Sequence, residues 1–245
     1  MKKFLLALQY WEGDKSQAGE TIKLIADLEE KHNPEVDVLL SCRFDCKHDG
    51  GVVSYVRRKF DTYTHVGRRR GVGWPAGCND LFWDTVTRIY ELCHAKKLPQ
   101  YSGILTFEPD CSPIRPGWLE LLYADWSRAK VKFMGNVVPA PAEHLNGNMV
   151  MSGDIDLLRK MATKILGCAP SGGWDFLLAP VFKQAGWYGT NTMRSEWARS
   201  NAFTAGELEE QIRAGLLFHH GMKNDSLQKL VRDKWLPRRA PLKKA

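Results

Sequence analysis

The chain has 245 residues, 44% of them hydrophobic and 26% charged, with a formal net charge of +7. That length carries one sizeable core with appendages, and that balance excludes both a disordered chain and a membrane class. The excess of positive charge favours polyanionic partners. It is concentrated in two regions, each either a binding face or a solvated one. Arg57, Arg58, Lys59, Arg68, Arg69 and Arg70 form the first; Lys229, Arg232, Lys234, Arg238, Arg239, Lys243 and Lys244 form the second. Six cysteines, spread from Cys42 to Cys168, lack the density of a small secreted framework, which predicts reduced thiols in a cytoplasmic protein. Cys42, Cys46 and His48 have no second Cys/His pair to complete a zinc site.

The opening Met-Lys-Lys-Phe-Leu-Leu-Ala-Leu imitates a secretory signal, but its apolar run stops at Gln9 with no small-residue cleavage site. It predicts a buried strand over 4–8, with Gln9 to Asp14 as the loop beyond it. No run approaches the ~18 apolar residues of a membrane span. Apolar residues at helical spacing predict a helix over 17–31, closed by Asn33-Pro34, and a continuous apolar run predicts a second strand over 36–41. Strand, helix, strand is a βαβ opening and predicts a mostly parallel sheet. Asp45 then lies outside a strand's carboxyl end, either as a ribose or base contact or as an ordinary loop acid.

Residues 52–60 read as irregular or strand-like. Residues 67–79 hold too many glycines and arginines for a regular element. Their N–H groups and the guanidinium groups of Arg68 to Arg70 suit a diphosphate or nucleic-acid contact, and the missing Lys-Ser/Thr ending excludes a P-loop. A helix over 80–94 leads to a strand over 104–107. That strand delivers Glu108 and Asp110, one residue apart, before prolines stop it. They are either two solvated acids or the anchor of a divalent metal carrying phosphate oxygens.

A helix from 116, a strand over 132–138, a polar turn entering a strand over 144–151 and a helix over 155–166 follow. The Ser-Gly-Gly-Trp loop over 171–174 introduces Asp175, either a helix cap or a general base. Late in the chain, His219 and His220 end an apolar run and offer a metal ligand, and Lys223 offers a phosphate contact. Trp74, Trp174 and Trp187 are either core or stacking surfaces.

Together these features resemble the GT-A glycosyltransferases, which use nucleotide-diphosphate sugars. The resemblance spans roughly residues 4–227, leaving 228–245 as a basic C-terminal extension. It implies an α/β, single GT-A-like (Rossmann-like) domain whose mostly parallel central sheet is flanked by helices. It implies a divalent metal, Mn2+ or Mg2+, held by Asp110 and Glu108 in place of the family's D-x-D, with His219 or His220 completing the site. Asp175, matching only the end of the family's x-E-D motif, becomes the base of an inverting transfer. Gln9, Tyr10, Trp11 and Asp45 fall where members bind the nucleoside of a UDP-sugar or another such donor. Arg70, Trp74, Asn79 and Lys223 join them on the donor side, and His144, Asn146, Trp174, Arg68 and Arg69 face the acceptor.

The acid-ended strand and the Gly-Trp-Pro-Ala-Gly-Cys-Asn loop are similar to small bacteriophage glycosyltransferases, some of which modify hydroxymethylated pyrimidines in DNA. The basic clusters suit a DNA acceptor, and a glycan or protein acceptor is the alternative. Two other classes fit parts of the pattern: a non-catalytic DNA-binding module and a nucleotidyltransferase.

Overall fold

A computed structural model describes residues 3–140, 142–166 and 172–236. The expected βαβ opening is present as β1 (Phe4–Tyr10), α1 (Lys15–Asp27) and β2 (Val36–Cys42), joined by a 3-10 turn at Glu12–Asp14. β1 and β2 pair in parallel from Phe4 opposite Val36 to Tyr10 opposite Cys42. Both strands are buried throughout because helices cover both faces. Along β1 the side chains alternate, Leu6 and Leu8 entering one core layer and Leu5 and Ala7 the other.

The segment expected to be irregular or strand-like is instead helix α2 (Gly50–Val56) followed by a turn. Its β-branched residues favour a strand locally, but Val53 and Val56, three apart, bury on one helical face. The Asp49 carboxylate accepts from the Gly51 and Val52 N–H groups and caps the helix. β3 (Asp61–Val66), an element not foreseen, then adds to the edge beside β2. Helix α3 (Ala76–His94) returns over the sheet, and β4 (Gly103–Phe107) pairs on the other side of β1, Leu6 opposite Leu105.

The remaining elements are β5 (Cys111–Pro113), α4 (Trp118–Ala129), β6 (Phe133–Val138), β7 (His144–Met151), α5 (Ile155–Leu166), α6 (Trp174–Leu177), α7 (Ala179–Ala185), β8 (Trp187–Gly189), β9 (Met193–Arg199), α8 (Ala205–Arg213), β10 (Phe218–Met222) and α9 (Ser226–Trp235). Where a polar turn was expected from His144 before an apolar strand, the strand already begins at His144. The main sheet runs β3-β2-β1-β4-β7-β6-β8, with β7 alone antiparallel to its neighbours. Its order reverses between β1 and β4, a switch point at which the two strand ends part and leave a crevice.

A second sheet, β5-β10-β9, closes one side of that crevice. β10 sets His220 opposite Cys111 on β5 and opposite Ser195 on β9. Its register then shifts at Gly221, which has φ +106° and packs so closely that a Cβ would lie 1.5 Å from the Glu196 carbonyl oxygen. The bulge lets two successive N–H groups, of Gly221 and Met222, donate to the Asp110 carbonyl oxygen at 3.2 and 3.3 Å.

Residue 228 falls inside α9, whose Leu227, Gln228 and Val231 are buried. Arg232 ties α9 to α1, donating to Asp27 at 2.6 Å. Arg238, Arg239, Lys243, Lys244 and Cys168 lie outside the described residues. No described helix is long and apolar enough to cross a membrane.

A side chain at position 221 has neither the space nor the backbone conformation it needs. Gly221→Ala should therefore destabilise the protein by more than ~1 kcal/mol, read as a lowered thermal midpoint by calorimetry. An unchanged midpoint would show that the bulge is not tightly held.

Candidate active site

β4 ends at Phe107 and the next three residues form a tight acidic turn. Asn148 on the adjacent β7 accepts the Glu108 N–H at 2.8 Å, and the Thr21 hydroxyl donates to the Pro109 carbonyl at 2.5 Å. The turn is thus fixed from both sides. Asp110 is 4% exposed, whereas half of the Glu108 side chain is open to solvent. His220 Nε2 lies 3.3 Å from Asp110 Oδ1 and 3.4 Å from Glu108 Oε2, and Lys223 Nζ lies 2.5 Å from Asp110 Oδ2.

Burial opposes ionisation of Asp110, but His220 and Lys223 beside it overcome burial and hold its carboxyl at about 2. Burial likewise opposes a charged His220, and the two carboxylates outweigh it and raise the imidazole to about 9. Asp110 Oδ1 is buried and accepts no well-formed hydrogen bond, and the His220 imidazole 3.3 Å away is the group that faces it. A buried carboxylate oxygen so loosely met is costly.

A divalent cation would remove that cost, and the donor set fits one. Ligand atoms of Glu108, Asp110 and His220 lie within 4.8 Å of one another. Two carboxylates and one imidazole suit Mn2+ or Mg2+ rather than a thiolate-loving metal. His220 Nδ1 lies 2.7 Å from Ser195 Oγ, so when a cation displaces the Nε2 proton the remaining proton stays on Nδ1 and the Nε2 lone pair faces the acids. Asn136 in turn accepts the Ser195 N–H at 3.1 Å. Of the two histidines offered by the sequence, strand alternation turns His220 to the acids. His219 is fully buried against the Phe203 ring, with centroids 5.4 Å apart.

These groups open onto a cavity of about 720 Å³ at the switch point. Gln9, Tyr10 and Trp11 reach it from the end of β1, His144 and Asn146 from β7, and Trp174 and Asp175 from α6. Asp175 accepts the Phe176 N–H at 2.9 Å and the Gly147 N–H at 3.1 Å, so it caps its own helix and orients its carboxylate at once. Burial raises its pKa, with the two N–H groups and His144 opposing. Trp174 is largely core, stacked on Phe82 at 3.3 Å and 5°. His144 Nδ1 lies 2.8 Å from the Ala142 carbonyl oxygen, and Asn146 accepts from both nitrogens of Asn148.

Several expected residues stand apart from the cavity lining. Asp45 is paired with Arg43 through two bonds of 2.7 and 2.6 Å, and Arg43 also covers the Trp11 ring at 4.9 Å. Asn79 donates to the Gly172 carbonyl at 3.0 Å. Two carboxylates of α3 take the arginine-loop N–H groups that the sequence offers to phosphate. Asp84 accepts from Arg68 and Arg69 at 2.6 and 3.0 Å, and Asp80 from Gly71 at 2.8 Å. The Arg69 guanidinium sits 3.8 Å over Trp83 and that of Arg70 5.4 Å from Phe44. Trp187 does not line the cavity, and Lys183 lies over its ring. Trp74 does line it, and is 69% exposed.

Sequence reasoning missed Asp14, Gln17, Asn148, Ser195 and Trp197, all of which line the cavity. Asp14 had a readable signal, since it lies in the loop that leaves β1 at the switch point. Burial, with Glu108 and Asp110 adding to it, pushes its carboxyl up to about 7. Ser195 and Trp197 are two apart on β9, a strand that charged Arg194 and Glu196 disguise.

No protein-family model matches the chain, and no curated protein does. Solved structures do match. The fold is similar to that of WbbM, a bifunctional glycosyltransferase, with a TM-score of 0.57 at 9% identity, over 94% of this chain and 50% of that one. It is similar to a glycosyltransferase involved in the glycosylation of the major capsid of PBCV-1, at 0.53 and 11% identity, over 94% and 98%. It is similar to GlyE of Streptococcus pneumoniae TIGR4, at 0.50 and 11% identity, over 92% and 56%. The chain spans about half the length of the WbbM and GlyE chains. At such identities the likeness is one of fold, and that fold is the single, mostly parallel, GT-A-like α/β domain expected.

Mn2+ should bind the protein, as measured by titration calorimetry, and Asp110→Asn or His220→Ala should abolish that binding. Ser195→Ala should weaken it ~10- to 100-fold through loss of imidazole orientation. Equal affinity in Asp110→Asn would remove the acidic turn as the site.

Proposed function

We propose that the protein is a metal-dependent glycosyltransferase that moves a sugar from a nucleotide-diphosphate donor to an acceptor hydroxyl with inversion. The observation that supports this most is Asp110, buried with one oxygen accepting no hydrogen bond, grouped with Glu108 and His220 at the floor of a switch-point cavity. A fold shared with glycosyltransferases gives that cavity its context.

Glu108, Asp110 and His220 would hold the metal, which supplies positive charge to the diphosphate as it leaves. Lys223, fixed at Asp110 with half its side chain open, sets a second cation beside it. Gln9, Tyr10 and Trp11 form the wall against which the nucleoside rests. Asp175 supplies the base. The acceptor oxygen bonds to the anomeric carbon as the bond from that carbon to the phosphate oxygen breaks, and the hydroxyl proton passes to Asp175. The hydrogen bonds from Gly147 and Phe176 hold the carboxylate in place for that transfer. Attack opposite the leaving group inverts the anomeric centre.

Between the acceptor classes raised by the sequence, DNA draws support from the net charge of +7, and a glycan or protein from the acidity of the cavity.

Release of nucleoside diphosphate from a panel of UDP- and GDP-sugars with Mn2+ tests the reaction. Turnover is expected with at least one donor, and none with any donor, in the presence of glycans and DNA, would overturn it. Asp175→Asn should retain donor binding and lose ~100- to 10,000-fold in transfer; a wild-type rate would exclude Asp175 as the base. Because burial raises the Asp175 pKa above 3.8, acidification removes the ionised base earlier than for an exposed aspartate. The acid limb of kcat/KM should lie above that value and be missing from the residual rate of Asp175→Asn.

A further inference from the structure

The cavity mouth carries two indoles that the proposed reaction leaves without a role. Trp197 is 85% exposed and Trp74 is 69% exposed, and both line the same cavity. Leaving such apolar area in water is unfavourable, and grouped exposed apolar area marks a contact site. Both are placed by structure rather than by chance. Trp74 ends the arginine loop two residues before α3, and the bonds to Asp80 and Asp84 fix that loop. Its Nε1 comes within 3.9 Å of where a Cβ on Gly173 would be, beside the Asp175 carboxylate. Trp197 lies two residues beyond Ser195 on β9 and lines the cavity together with Ser195 and His220. One indole is therefore beside Asp175 and the other on the strand that carries Ser195.

The charge around them narrows what they hold. Asp14, Glu108, Asp110 and Asp175 line the cavity, and Lys223, already paired with Asp110, is its only lysine or arginine among the described residues. Among the described residues, no side chain of Arg68, Arg69 or Arg70 reaches the lining, so that loop gives a phosphate backbone no cationic path to Asp175. A polyanionic strand would meet carboxylates at the site. A pyranose carries no charge, its C–H face covers an indole, and its hydroxyls can reach Asp175.

We propose that the acceptor is a carbohydrate, held on Trp74 and Trp197 by the apolar face of a pyranose ring with one hydroxyl directed to Asp175. This rests on the glycosyltransferase proposal and adds the acceptor class to it.

Saturation-transfer NMR reads the platform without turnover. The wild-type protein, with Mn2+ and UDP, is mixed with a panel of methyl and p-nitrophenyl pyranosides, or with a single-stranded oligonucleotide carrying 5-hydroxymethylcytosine. Irradiating aromatic protons should saturate the C–H protons of one pyranose face in at least one methyl glycoside. That glycoside should also speed nucleoside diphosphate release. Trp74→Ala and Trp197→Ala should each raise its dissociation constant about tenfold, and phenylalanine at either position should restore most of it.

Saturation of no glycoside, saturation that persists in the double alanine variant, or acceleration by the oligonucleotide alone would each overturn the carbohydrate platform. So would a dimer in sedimentation whose formation removes the signal, which would assign the indoles to contact between copies. If no donor is turned over while the glycoside is still saturated, the reaction proposal fails and the platform stands.

Discussion

A carboxylate buried as deeply as Asp110 has to be neutralised where it sits, and much of the local architecture follows from that requirement. Lys223 holds one oxygen, and His220 stands beside the other. The Asp110 carbonyl oxygen meanwhile accepts two N–H groups from the β10 bulge, so backbone and side chain of one residue are both tied to the same strand. Gly221 makes this possible, because only a residue without a Cβ can turn there. The arrangement leaves Asp110 Oδ1 without a hydrogen bond. Three potential ligands held together with such an oxygen among them form a donor set that a divalent cation would fit.

Topology puts this anchor where a substrate can reach it. β4 crosses to the far side of β1, so the loops leaving the two strands diverge and bring Tyr10 and Trp11 to one wall and the acidic turn to the floor. The antiparallel β7 then supplies the opposite wall. Asn148 from that strand holds the Glu108 N–H while Gly147 N–H holds Asp175, so one short stretch sets the spacing between the acidic turn and Asp175. The small second sheet adds His220 and Ser195 from residues more than 80 positions away.

What was legible in the sequence is what local patterning encodes. The largely apolar runs of β1, β2 and β4 announced a covered parallel sheet, and prolines after Phe107 announced a strand end with two acids on it. α2 was misread because its valines favour a strand locally and only the tertiary packing of Val53 and Val56 makes them helical. The choice between His219 and His220 needed the register of β10, which no single-sequence pattern contains. The arginine loop misled in a different way: its N–H groups and positive charge were visible, but Asp80 and Asp84, which consume the N–H groups, lie on the next helix. Trp197 was hidden because its strand alternates with charged residues.

The basic loop and the cavity are thus separate among the described residues. Arg69 and Arg70 lie over Trp83 and beside Phe44, while the cavity is lined by four carboxylates and by tryptophan. A divalent cation reconciles an acidic cavity with an anionic diphosphate, which makes its position the central claim. Anomalous scattering from a crystal soaked in Mn2+ and UDP locates it directly. A peak is expected beside Asp110 Oδ1 and His220 Nε2, with diphosphate oxygens next to it. Diphosphate bound in the cavity with no peak at Asp110, or with Lys223 alone meeting the phosphates, would contradict it.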